Sequence, residues 1–219
     1  MKQFYTRVIK MTIGLFLFAL GIVLTLRANI GFAPWDVFHV GIANTLGLTI
    51  GTVSIAVGLI LIIVIMLMGE KIGFGTVWNM LLIGLFLDLI LKIDIIPKME
   101  NLFSGSIMLF AGLFIIAVGS YFYLGAAFGA GPRDGLMVAL ARKTKIPVGV
   151  CRSLIELAVT IAGWFLGGMV GLGTVMSVIG IGFCVQLIFR LFKFDVTAVK
   201  HETFSNTLAF LKTNINARK

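Results

Sequence analysis

The chain has 219 residues, of which 59% are hydrophobic and only 12% charged, and its mean hydropathy is +1.10. A water-soluble globule of this size needs far more charge on its surface, so the composition excludes one and requires a polytopic membrane protein. The formal charge of +9 would suggest nucleic-acid binding in a soluble chain. In a membrane chain the positive-inside rule explains the same residues, and the lipid bilayer, not nucleic acid, is the expected partner.

In chain order, six stretches are long and apolar enough to cross the hydrocarbon, roughly 10–28, 51–69, 74–92, 105–125, 148–168 and 172–190. They read as helices, because lipid leaves the backbone groups of an open sheet unsatisfied and a closed barrel shows alternating hydrophobicity. The first stretch could imitate a signal peptide, but it lacks a small-x-small cleavage site and is read as the first span. Two polar segments of 13 residues lie between spans, PWDVFHVGIANTL at 34–46 and PRDGLMVALARKT at 132–144. Each starts at a proline after a Gly-containing turn, a helix start signal because the missing N–H would have no partner there. The basic residues Lys2, Arg7, Lys10, Arg133, Arg142, Lys143, Lys145 and those after Arg190 mark a cytoplasmic face that holds both termini.

Residues 14–92 recur 98 positions later without a gap: Gly14-Leu15-Phe16 as Gly112-Leu113-Phe114, Ala19 and Gly21 as Ala117 and Gly119. Ala28, Gly31, Pro34 and Asp36 return as Ala126, Gly129, Pro132 and Asp134; Gly51 as Gly149; Gly73-x-Gly75-Thr76 as Gly171-x-Gly173-Thr174; Gly84 as Gly182. So many Gly, Pro and Asp identities on one register mark a tandem duplication. It divides the chain into a first repeat (1–100), a second repeat (101–192) and a basic tail (193–219).

Three spans per half is an odd number, so the expected fold is all-α with six transmembrane helices in two inverted three-helix repeats, each with a short re-entrant or interfacial half-helix. Had both short segments crossed, the halves would be parallel and the spans eight. The loop charges separate the two topologies weakly, and that alternative stays open. Six is favoured by the polar load of the short segments.

Gly/Pro-interrupted segments at matching positions of inverted repeats point to a transporter's binding site. The candidate substrate-binding residues are therefore Pro34, Asp36, Pro132, Arg133 and Asp134, together with Arg152 and Glu156 of the fifth span. Asp36 and Asp134 fall in the first turn of their helices, where a carboxylate can simply accept the free N–H groups. Arg152 and Glu156 stand on one helical face, and their repeat mates are Ser54 and Gly58, so this charge pair exists in one half only. Arg133 likewise replaces Trp35, bringing one cation to the centre, which favours a small polar or anionic solute.

Asp88, with Lys92 one turn on, and its mate Gln186 are expected to face the interior. His39 reads as a hydrogen-bonded structural group, and Trp35, Trp78 and Trp164 as interfacial anchors. Thr76 and Thr174 read as helix caps. Cys151 and Cys184 read as buried thiols, and the tail around Phe204, Leu208, Phe210 and Leu211 as a candidate surface helix. No cofactor or catalytic set is expected: no Ser/His/Asp arrangement occurs, no His pair has metal spacing, His201 stands alone in the tail, and the Gly-x-Gly-Thr turns lack a phosphate loop's lysine.

The motifs Ala28-x-x-Gly31-x-x-Pro34-x-Asp36, Gly129-x-Gly131-Pro132-Arg133-Asp134-Gly135, Arg152-x-x-x-Glu156 and Gly163-Trp164-x-x-Gly167-Gly168 resemble the bacterial YczE/YyaS/YitT group of integral membrane proteins, over about residues 10–190. The resemblance implies a multi-pass protein of a bacterial plasma (inner) membrane and carries no activity with it. The leading functional expectation is a small-molecule permease or secondary transporter, not an enzyme. The alternative is a non-transporting membrane scaffold or accessory protein for a partner enzyme.

Overall fold

The computed structural model describes residues 2–195, 199, 202 and 204. Within them the chain forms eight helices and no strand: α1 (Lys2–Arg27), α2 (Pro34–Leu46), α3 (Ile50–Leu67), α4 (Phe74–Ile93), α5 (Leu102–Gly125), α6 (Pro132–Thr144), α7 (Val148–Phe165) and α8 (Leu172–Leu191). Six of them, all but α2 and α6, are long and apolar enough to span a membrane. Of the tail expected to form a surface helix, Leu208, Phe210 and Leu211 lie outside the described residues, as does His201, while Phe204 is described and exposed.

The helix boundaries follow local chemistry. α2 and α6 begin at Pro34 and Pro132, each preceded by an extended residue, Ala33 or Gly131, as the ring of a following proline demands. The N-caps of α3 and α5 are Thr49 and Asn101, whose side chains accept from the N–H of Thr52 and Ser104. The Gly-x-Gly-Thr turns open α4 and α8: Thr76 and Thr174 Oγ1 accept from the N–H of Gly73 and Gly171 at 3.2 and 3.1 Å.

The duplication is written into the backbone as well. Left-handed residues recur at the repeat spacing: Asn29 and Ala127, Gly31 and Gly129, Gly47 and Lys145, Gly69 and Gly167. Gly31 and Gly129, at φ 119° and 125°, occupy a region closed to residues with a Cβ. Each passes against the opposite half's Gly-x-Gly-Thr turn: Gly173 N–H donates to Ile30 O and, in the mate contact, Gly75 N–H donates to Phe128 O, both at 2.8 Å.

α1 and α5, the repeat mates that open each half, form the spine. A Cβ on Gly14 would meet the Gly119 carbonyl at 2.8 Å, and one on Gly21 the Gly112 carbonyl at 2.7 Å. The backbones touch there, which only small residues allow in a membrane helix pair. Rising numbers on α1 face falling numbers on α5, so the two helices run antiparallel. α4 flanks α1 and α8 flanks α5, while each short helix packs on the third helix of the opposite half, α2 on α7 and α6 on α3. The apolar core gathers around the spine, with Leu15, Val23, Leu109, Leu113 and Phe128 fully buried.

One pairing breaks the symmetry. α3 lies along α4, whereas their mates α7 and α8 make almost no contact.

Candidate functional site

Two cavities flank the spine, and the 98-residue register maps one on the other. The first, of about 80 Å³, lies among His39, Ser54, Gly58, Asn79, Tyr123 and Pro132. The second, of about 130 Å³, lies among Pro34, Asp36, Met137, Arg152, Glu156 and Ser177. Ser54, Gly58, Asn79, Pro132 and His39 of the first are the repeat mates of Arg152, Glu156, Ser177, Pro34 and Met137 of the second. Each has room for several waters. Phe18, from the middle of α1, and Arg133 and Asp134 line both cavities.

All seven candidate residues face one cavity or the other, with Arg133 at the junction. Its guanidinium carbon stands 5.1 Å from the ring of Trp35, its own repeat mate, in a cation–π arrangement. Nη2 lies 3.2 Å from His39 Nδ1. A guanidinium only donates, so Nδ1 is the acceptor and the imidazole proton is carried on Nε2. Among the described residues no carboxylate oxygen comes within 4.0 Å of Arg133.

The nearby acids are differently engaged. Asp134 Oδ2 accepts from the Tyr123 hydroxyl at 2.9 Å, and Glu156 Oε1 accepts from Arg152 Nε at 2.8 Å. Asp36 Oδ1, His39 Nε2 and Ser177 Oγ are buried without a partner. Leaving such groups unsatisfied costs about 1–3 kcal/mol each, so this centre is strained unless water or a ligand completes it. Among the described residues no group of three or more His, Cys, Asp or Glu side chains gathers to hold a metal ion.

Several side chains differ from their sequence reading. Trp35 is buried at 7% exposure beneath Arg133, not at an interface, because α2 packs inward on α7; Trp164 is exposed. Asp36 Oδ1 has no partner and Asp134 Oδ2 turns to the Tyr123 hydroxyl, so neither oxygen accepts a first-turn N–H. Asp88 holds the neighbouring helix instead of Lys92, accepting from Thr49 Oγ1 at 2.6 Å and from Gly51 N–H at 2.8 Å. Its mate Gln186 is exposed, not interior, because α7 does not reach it. Both cysteines are buried free thiols.

Sequence reasoning missed Tyr123, Asn79 and Ser177. Asn79 and Ser177 occupy equivalent polar positions in α4 and α8, one turn past the capping threonines, and that recurrence was the available signal.

Six apolar spans around a polar, duplicated centre define a polytopic helical membrane protein. Residues 5–190 match a family of unknown function, DUF6198, and the chain belongs to that family. It is 36% identical over 185 residues to an uncharacterized protein of Haemophilus influenzae, covering 82% of this chain and 84% of that protein. It is also 36% identical over 178 residues to the uncharacterized membrane protein YczE of Bacillus subtilis, covering 79% of this chain and 80% of that protein. With YyaS of Bacillus subtilis the identity is 28% over 171 residues. No solved structure matches the chain.

Proposed function

We propose that this protein is a small-molecule permease or secondary transporter of the bacterial inner membrane, non-enzymatic, with its substrate site between two inverted repeats. The observation that carries the reading is the pair of repeat-related cavities meeting on Arg133 and Asp134 beside the middle of α1. A scaffold would need these segments packed dry. Here Asp36, His39 and Ser177 keep unpartnered polar atoms at the cavities instead.

The antiparallel course of the mates α1 and α5 supports the inverted arrangement. Thirteen residues of α2 or α6 rise only about 20 Å, short of the ~30 Å of hydrocarbon, which supports re-entrant half-helices. Positive-inside orientation puts both termini in the cytoplasm. Single cysteines test it: Asn101→Cys reacts from outside and Thr144→Cys from inside, and reaction of both from one face overturns the inverted topology.

Such an arrangement suits alternating access, in which one repeat rocks against the other around a fixed site. Arg133 is the group best suited to a carboxylate or other anion, since its guanidinium can make paired charge-assisted hydrogen bonds that an ammonium cannot. The direct test is uptake by purified protein in liposomes, screened against pooled metabolites. Arg133→Lys loses most of the uptake while thermal stability stays near wild type. Full uptake by Arg133→Lys makes Arg133 structural and moves the site to Arg152 and Glu156.

A further inference from the structure

The first half is closed where the second is open. A Cβ on Gly51 would lie 2.1 Å from the Gly84 carbonyl oxygen, and one on Gly84 2.6 Å from that of Gly51. The mates Gly149 and Gly182 have nothing within 4 Å of such a Cβ. The gap between α7 and α8 is a cavity of about 490 Å³ walled by Leu157, Thr160, Val175 and Ile179. Its apolar walls are themselves exposed, with Leu157, Val175 and Ile179 more than half accessible on these two spans, so it opens toward hydrocarbon.

The depth of the gap is continuous with the polar centre, since Pro34, Glu156 and Val178 line both this cavity and the one that holds Arg133 and Arg152. The difference from α3–α4 has a residue-level cause. A Cβ on Gly58 would already meet the Met80 side chain at 2.7 Å. The corresponding positions in the second half are Glu156 and Val178, and a glutamate paired with Arg152 cannot occupy the space of a hydrogen atom.

We infer that the α7–α8 gap is an intramembrane portal, and that the ligand of the central site is an amphiphile with an anionic head at Arg133 and Arg152 and an alkyl chain between α7 and α8. The inference rests on the anion-binding reading of Arg133 given above. A water-soluble anion has no route through a mouth that faces lipid, and the apolar walls offer it no partner. An amphiphile already partitioned in the bilayer buries its chain there. Its head then meets Arg133, which has no carboxylate oxygen within 4.0 Å among the described residues, and the Ser177 hydroxyl, buried and unpartnered in the same cavity, is free to donate to it.

The test uses the whole protein in lipid nanodiscs and a palmitate analogue carrying a diazirine in mid-chain, with cross-linked residues mapped by mass spectrometry. Adducts are expected at Leu157, Val175 and Ile179. Excess palmitate removes them, whereas neither acetate nor hexadecyltrimethylammonium does. Palmitate competes roughly tenfold more weakly in Arg133→Lys, which keeps the charge but loses the fork, and Val178→Trp abolishes the adducts.

Labelling spread equally over Leu59 and Leu85 of α3 and α4, as bulk lipid would give, overturns the portal. So does equal competition by the cationic amphiphile. Should Val178→Trp fail to fold, the wild-type competition decides. Uptake of a soluble anion that Val178→Trp leaves intact removes the portal and keeps the permease. Competed labelling without movement of palmitate between leaflets keeps the portal and removes the permease.

Discussion

The α3–α4 and α7–α8 pairs share Gly51 with Gly149 and Gly84 with Gly182 at the same register, yet one pair is sealed and the other is not. In the first, Gly51 and Gly84 let the backbones touch, and Asp88 fastens the start of α3 through Thr49 and Gly51. In the second, Gly149 and Gly182 face open space, and Arg152 and Glu156 stand where Ser54 and Gly58 would allow close approach. Small residues therefore permit a helix seam without producing one. Which seam forms is decided by the few side chains that must fit inside it.

The largest predicted effect separates the two glycine pairs directly. Gly51→Leu or Gly84→Leu drives a side chain into backbone and costs about 3 kcal/mol or more. Gly149→Leu and Gly182→Leu stay within about 1 kcal/mol of wild type, their helix propensity offsetting any crowding. Thermal unfolding in detergent reads the difference, and equal losses in both pairs would mean that α7 and α8 close like α3 and α4.

A step smaller is the polar latch. Asp88→Ala leaves the Gly51 N–H without its acceptor and costs about 1–3 kcal/mol, whereas Gln186→Ala, exposed and unlatched, changes stability by less than about 0.5 kcal/mol. Making the second half resemble the first is a sharper probe with a smaller readout. In the double variant Arg152→Ser, Glu156→Gly, a fluorophore on Val178→Cys becomes less accessible to a lipid-borne quencher, and unchanged quenching would show that these two positions do not hold the gap open. The smallest effect belongs to Trp35→Phe, which keeps an aromatic face under Arg133 and weakens the cation–π contact by no more than about 1 kcal/mol. Uptake then stays near wild type.

Chain-local features of this architecture were legible in the sequence. Pro34 and Pro132 mark the first residues of α2 and α6, and apolar length locates the six spans, although α1 begins at Lys2, eight residues before the expected start at 10. The duplication also exposed Arg133, Arg152 and Glu156 as departures from symmetry. What stayed hidden depends on residues far apart in the chain. Asp36 and Asp134 look like caps because both sit in a first turn, and only the approach of α5 gives Asp134 the Tyr123 hydroxyl as its partner. Trp35 looks like an anchor because it follows a span end, yet it is the platform for a cation 98 residues away. Gly149 and Gly182 are identical to their mates Gly51 and Gly84, and nothing local says that no helix reaches them.

The asymmetry of the two seams is tested most directly by distances between spin labels at repeat-equivalent positions, measured by electron–electron resonance on protein in a bilayer. One labelled pair is Leu59→Cys with Leu85→Cys, and the other Leu157→Cys with Phe183→Cys, in a background lacking Cys151 and Cys184. All four positions are exposed in the structure. A longer and broader distance for the second pair than for the first is the predicted result, and identical narrow distances for both would contradict the account.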